Sequence, residues 1–137
     1  MIISRSQTAL GIALALTASV ALCDEIKVTL SGAQEVPPVA TPASGTGVIV
    51  INPDGTVSGA ITTTGIAATV AHIHVGSASI VGRAIIPLVR TGENGWAVPA
   101  GAKLTDEQMN SYKAGELYVN VHSKANPVGE IRAVIKP

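Results

Sequence analysis

Apolar side chains recur at every second position along most of this sequence, in short runs cut by glycine, proline and asparagine. A strand sends successive side chains to opposite faces, so period two specifies strands that bury one face and wet the other. Glu25 to Leu30 puts Ile26, Val28 and Leu30 on one face. Val48 to Ile51 is a continuous β-branched run, which predicts a strand buried on both faces or nearly so. Asn52-Pro53-Asp54-Gly55 follows, where Pro53 presets φ and Gly55 tolerates positive φ. Alternation resumes at Val57, Gly59 and Ile61, so the two runs form a hairpin. Arg83 to Val89 predicts a further strand. Pro87 cannot donate to a ladder, which puts that strand at an edge or bulges it.

The remaining stretches interrupt this pattern. Ser31 to Ala43 carries Pro37, Pro38, Pro42 and Gly32 and reads as a loop. Thr91 to Gly101 is a glycine-rich loop around Trp96, expected to cover one end of the core. Thr105-Asp106-Glu107-Gln108 is a capping-box pattern with acids in the first turn, so a short helix runs to about Lys113, with Gly115 just past its end. Glu130 to Ile135 pairs across the Asn126–Gly129 turn with the strand at Tyr118–His122 as a second hairpin. About seven or eight strands and one helix predict an all-β, antiparallel sandwich or barrel. The chain has no Phe, one Trp and two Tyr, so Val, Ile, Leu and Ala must fill its core.

Arg5 is the only charge ahead of an apolar run from Ala9 to Leu22. That is the layout of a secretory signal peptide, and the run is shorter than the ~20 residues a spanning helix needs. Residues 1–23 are read as signal peptide and 24–137 as one domain, secreted or periplasmic, without a transmembrane segment in the mature form. Lipid anchoring at Cys23 is the alternative, and Leu22 directly before it argues against that. Cys23 is the sole cysteine, so the domain has no disulfide to hold it together. Charge close to neutral gives no reason to expect nucleic acid, and no polybasic patch suggests a membrane surface.

All three histidines lie in two of the strands, Ala71–Gly76 and Tyr118–His122. His72 and His74 share one face; Tyr118, Asn120 and His122 share another. If the two strands are neighbours, three imidazoles converge. Alternate Cα atoms stand about 6.5 Å apart on a strand, a span that two rings can close around metal–nitrogen bonds of about 2 Å. A three-nitrogen site with an open position suits copper or zinc. The competing reading has surface histidines hydrogen-bonded to Asn120 or Glu130. Glu130 and Arg132 share a face of the last strand, as a cross-strand ion pair contributing ~0–1 kcal/mol, or with Glu130 holding a histidine tautomer. Tyr118 shields the patch or serves as a contact residue, and Glu35 reads as a loop charge or a turn hydrogen-bonder rather than an acid catalyst. Ser123 follows His122 directly and points the opposite way, so no Ser–His nucleophile is expected. No phosphate-binding glycine loop occurs, and no catalytic residue is assigned.

Glu35-Val36-Pro37-Pro38-Val39, Ala71-His72-Ile73-His74-Val75-Gly76, Gly115-Glu116-Leu117-Tyr118-Val119-Asn120-Val121-His122 and Gly129-Glu130-Ile131-Arg132 occur in that order. Together they resemble the CHRD (chordin) domain of animal chordin and of many secreted bacterial proteins, over roughly residues 26–136. Ala133 stands where many members continue with glycine. The resemblance implies an immunoglobulin-like or Greek-key β-sandwich and little chemistry. The histidine pattern is also similar to copper–zinc superoxide dismutase, where a His-x-His strand and a later Val-His strand supply three copper ligands, matched here by His72, His74 and His122. No histidine remains for a bridging ligand or a zinc subsite. Three readings follow. The first is a secreted, non-catalytic binding or interaction module with an extracytoplasmic protein or metal-ion partner. The second is a copper- or zinc-binding protein using the three histidines, and the third a dismutase-like redox enzyme at such a metal.

Overall fold

The first hairpin lies where its turn signal stands: β2 (Ser44–Ile51) and β3 (Val57–Thr64) pair antiparallel from Ser44↔Thr64 to Ile51↔Val57. Gly55 closes the turn at φ +85°, and its N–H donates to the Asn52 carbonyl at 2.9 Å. On the other side of β2 runs β1 (Asp24–Ser31), paired over its whole length. The structure, a computed structural model, describes residues 23–137, so the signal-peptide reading lies outside the described residues except for Cys23, which is exposed.

A second group of strands is built on β4 (Ala68–Val75), which pairs with β5 (Ala84–Pro87) on one side and β8 (Leu117–Ser123) on the other. β9 (Ile131–Ile135) completes the hairpin with β8. Two short strands, β6 (Val89–Arg90) and β7 (Gly95–Ala97), attach to β3 through β7. All pairings are antiparallel, in the order β5-β4-β8-β9-β1-β2-β3-β7-β6. The two groups meet at one register pair, Ser31 opposite Arg132.

The ends of that order, β5 and β6, are consecutive in the chain with only Leu88 between them. The sheet therefore curls until its edges meet, and the inner faces of both groups share one core, giving an all-β, sandwich-like and nearly closed arrangement. The single strand expected over Arg83–Val89 divides at this place. Pro87 has no N–H to extend β5. Leu88 keeps one bond to β4, its N–H donating to the Ala71 carbonyl at 2.9 Å, and Val89 crosses to β7. Arg90 ties the crossing by donating to the Ala68 carbonyl.

Val28, Leu30, Ile49, Ile51 and Ile61 face Ile73, Leu117, Val119, Val121, Ile131 and Ile135 in the core, each at most 3 % exposed. Burial of each such side chain contributes about 1.5–3 kcal/mol. Two expectations are corrected. β2 is buried on one face only, because Val48 and Val50 stay half-buried on the outside while Ile49 and Ile51 point inward. The loop around Trp96 contains a strand, β7, too short to register as a period. Trp96 is 3 % exposed in the core, with the Arg90 guanidinium carbon 4.4 Å from its ring centre.

The helix α1 (Asp106–Lys113) begins as its capping box requires. The Thr105 hydroxyl accepts from the Gln108 N–H at 3.2 Å, and the Gln108 side chain accepts from the Thr105 N–H at 3.0 Å. Thr105→Ala removes half of this exchange and should cost ~1 kcal/mol. In urea denaturation that appears as a lower midpoint with an unchanged slope.

Candidate metal centre

β4 and β8 carry the site because their register sets its face. His72 lies opposite Asn120, His74 opposite Tyr118, and Val70 opposite His122. Directly opposed residues share a face, so Ala71, Ile73, Val119 and Val121 enter the core while all three imidazoles emerge on the other side. Their ring centres lie 5.1 Å (His72–His122), 5.5 Å (His72–His74) and 5.7 Å (His74–His122) apart. One ring nitrogen from each falls within 4.8 Å of one from each of the others. The tightest approach is His72 Nδ1 to His122 Nε2 at 3.2 Å. A tetrahedral centre with bonds near 2.1 Å wants nitrogens ~3.4 Å apart, so closure asks for ring movements of about 1 Å.

The outer face of β8 is not open to water. Leu117, Val119 and Val121 are buried in the core, and Tyr118, Asn120 and His122 are buried as well, because segments 31–43, 76–82 and 126–129 lie across them. His74 and His122 are 8 % and 7 % exposed, whereas His72 is half-buried and forms the solvent side of the cluster. The covering segments also orient the rings. His74 Nδ1 lies 3.0 Å from the Gly82 carbonyl, and His122 Nδ1 lies 3.0 Å from the Pro127 carbonyl. A carbonyl only accepts, so each Nδ1 carries the proton and each Nε2 keeps its lone pair. His74 Nε2 is buried without a hydrogen-bond partner among the described residues. Such an atom is costly to bury, and its lone pair can be met by a hydrogen-bond donor such as water or by an electron-pair acceptor. Burial holds all three histidines below their ordinary pKa. For His74 the carbonyl of Gly82 opposes this, while His122, His72 and Arg132 reinforce it.

The other residues singled out in the sequence surround this cluster with partners of their own. The Tyr118 ring stacks on His74 with centres 4.8 Å apart and planes 11° from parallel, and its hydroxyl accepts from the Gly82 N–H at 3.0 Å. Arg132, 1 % exposed, lies over the far face of that ring, its guanidinium carbon 3.4 Å from the centre. It donates to the Ser77 carbonyl and, at 3.1 Å, to the Ile80 carbonyl. Asn120 donates to Glu35 and, at 3.0 Å, to the Ile131 carbonyl. Glu35, expected as a loop charge or a turn hydrogen-bonder, is a buried hydrogen-bonding anchor whose partner lies on a strand. Burial raises its pKa against the pull of Asn120 and Arg132.

Glu130 turns away from the histidines and from Arg132. It accepts from Thr41 Oγ1 at 2.6 Å and from Ser123 Oγ. Burial works against its charge, yet hydrogen bonds from Ser123, Thr41 and Asn126 hold its pKa below the usual range. The tautomer-fixing groups are thus backbone carbonyls, of Gly82 and Pro127, rather than a carboxylate. A carbonyl belongs to every residue, so no residue type marked these two in advance.

Three neutral imidazoles, two of them with Nε2 free of a proton, are donors of the kind that a borderline metal ion such as copper or zinc takes. No curated protein and no solved structure matches the chain. A family model described as CHRD domain matches residues 26–135, almost all of the described chain. The four ordered motifs lie within this match, apart from none of their residues, and the chain belongs to the CHRD domain family.

Proposed function

We propose that this CHRD domain is an extracytoplasmic, non-catalytic metal-binding module that holds copper or zinc at His72, His74 and His122. The observation that carries the reading is the pair of carbonyls that fix Nδ1–H on His74 and His122 and leave both Nε2 atoms unprotonated, in a cluster where His122 Nε2 lies 3.2 Å from His72 Nδ1. Fixing the second ring nitrogen in this way raises ligand basicity and orients the ring. His72, half-buried, supplies the third nitrogen and the route from solvent.

Binding rather than turnover follows from the neighbours. Glu130 is occupied by Thr41 and Ser123, Glu35 by Asn120, and the Tyr118 hydroxyl by Gly82, so among the described residues these groups are engaged rather than free beside the imidazoles. Placement outside the cytoplasm rests on Arg5 and the apolar run that follows it. Among the described residues no helix is long and apolar enough to cross a membrane.

Copper(II) should bind more tightly than zinc, following the affinity order for nitrogen sites. His74→Ala and His122→Ala should each weaken copper binding by roughly tenfold or more, since loss of a ligand exceeds the 10–100-fold range of its supporting groups only upward. Isothermal titration of the wild type and both variants makes the comparison. A local His-x-His chelate would not feel the loss of His122, so wild-type affinity in His122→Ala would remove the three-histidine site.

Affinity should also depend on pH with a definite sign. Only neutral imidazole ligates, and protons compete for the same lone pairs. The depressed pKa values keep the rings neutral below the ordinary value of about 6.5. Copper affinity is therefore level above that pH and falls as pH drops through the depressed values. A titration series from pH 8 to pH 5, approximate bounds set by the ordinary histidine range, reads this directly.

A further inference from the structure

The donor set and the charge behind it discriminate between oxidation states of the metal. We propose that Arg132, acting through the Tyr118 ring, biases the three-histidine centre toward monovalent copper over divalent copper and zinc. This rests on the three-histidine reading above.

Three neutral nitrogens bring no negative charge to the metal. Neither buried acid joins the ligand cluster: Glu35 hydrogen-bonds Asn120, and Glu130 hydrogen-bonds Thr41 and Ser123. A metal ion therefore carries its whole charge into a mostly buried place, and the desolvation cost grows steeply with that charge. Fixed positive charge stands close by. The guanidinium lies 3.4 Å from the Tyr118 ring centre and that ring 4.8 Å from His74, which puts it within about 8 Å of the imidazole, in a region where interactions are only partly screened. Guanidinium cannot shed its proton in a protein, so this charge is permanent. Arg132 is also fixed in place by the Ser77 and Ile80 carbonyls.

Each added unit of charge on the metal then meets one more unit of repulsion, roughly a tenfold loss of affinity at an effective dielectric near 20 and a separation near 10 Å. Glu35 opposes this from the loop at residues 31–43, as the carboxylate whose field acts on Arg132. The two groups therefore move the preference in opposite directions.

The test measures copper alone in each oxidation state, by competition with a copper(I)-selective chelator under anaerobic reducing conditions and with a copper(II) chelator in air, both at pH 8. Wild type, Arg132→Gln, Arg132→Lys and Glu35→Gln are compared as full mature chains. The wild type should hold copper(I) more tightly than copper(II). Arg132→Gln should shift the affinity ratio about tenfold toward copper(II), Arg132→Lys should largely keep it, and Glu35→Gln should shift it toward copper(I). Glu35→Gln retains the acceptor for Asn120, so it tests the field even where Arg132→Gln fails to fold. A wild type that binds copper with a ratio indifferent to these substitutions overturns the role of Arg132 and leaves the centre standing. A wild type that binds neither copper ion removes the centre itself, and this inference with it.

Discussion

The antiparallel ladder between β4 and β8 is the interaction on which the rest of this structure depends. It runs from Ala68↔Ser123 to Val75↔Leu117 and sits in the middle of its half of the sheet. Its register does two things at once, because the side-chain period is two. Ala71, Ile73, Val119 and Val121 enter the core, and the same pairing puts His72, His74 and His122 together outside it. A one-residue slip of β4 would send two imidazoles into an aliphatic core and two aliphatic side chains out, which the burial energetics forbid. The core thus enforces the geometry of the histidines without touching them.

That outer face is then roofed by chain without regular structure, and a roof of this kind must satisfy its own polar groups. It does so through a few long-range contacts. Asn120 holds Glu35, Arg132 holds Ser77 and Ile80, and His74 and Tyr118 hold Gly82. Glu130 binds the loop at Thr41 to the end of β8 at Ser123. These groups are not decoration around the imidazoles: they decide which ring nitrogen carries a proton and how deep the site lies.

Much of this was legible in the sequence, and the rest was hidden for physical reasons. The β2–β3 hairpin, the capping box at Thr105 and the β8–β9 hairpin are local, and local signals of turn and period located them. Pro87 announced an edge or a bulge, since a missing N–H cannot extend a ladder, and β5 stands at the end of the strand order. What the sequence could not announce is that the two edges of the sheet meet at Leu88, because closure is a property of the whole sheet. β2 read as buried on both faces or nearly so because four β-branched residues in a row show no alternation, whereas the half-burial of Val48 and Val50 is set by what packs on that face in the folded chain. The shared face of the three histidines followed from period two once β4 and β8 were taken as neighbours. Their burial did not follow, because the segments that roof them, and the Gly82 and Pro127 carbonyls that orient them, lie elsewhere in the chain. Glu35 looked like a loop charge for the same reason, its partner Asn120 being far away in sequence.

The central claim is that three imidazoles, from two neighbouring strands, hold one metal ion. X-ray absorption at the copper edge of the loaded protein tests it most directly, since the first shell reports donor type and number and the outer shells report imidazole rings. The account predicts three nitrogen donors at about 2 Å, each with the outer-shell pattern of histidine, and a loss of one ring in His122→Ala. A first shell of oxygens, or two imidazoles in both proteins, would contradict it.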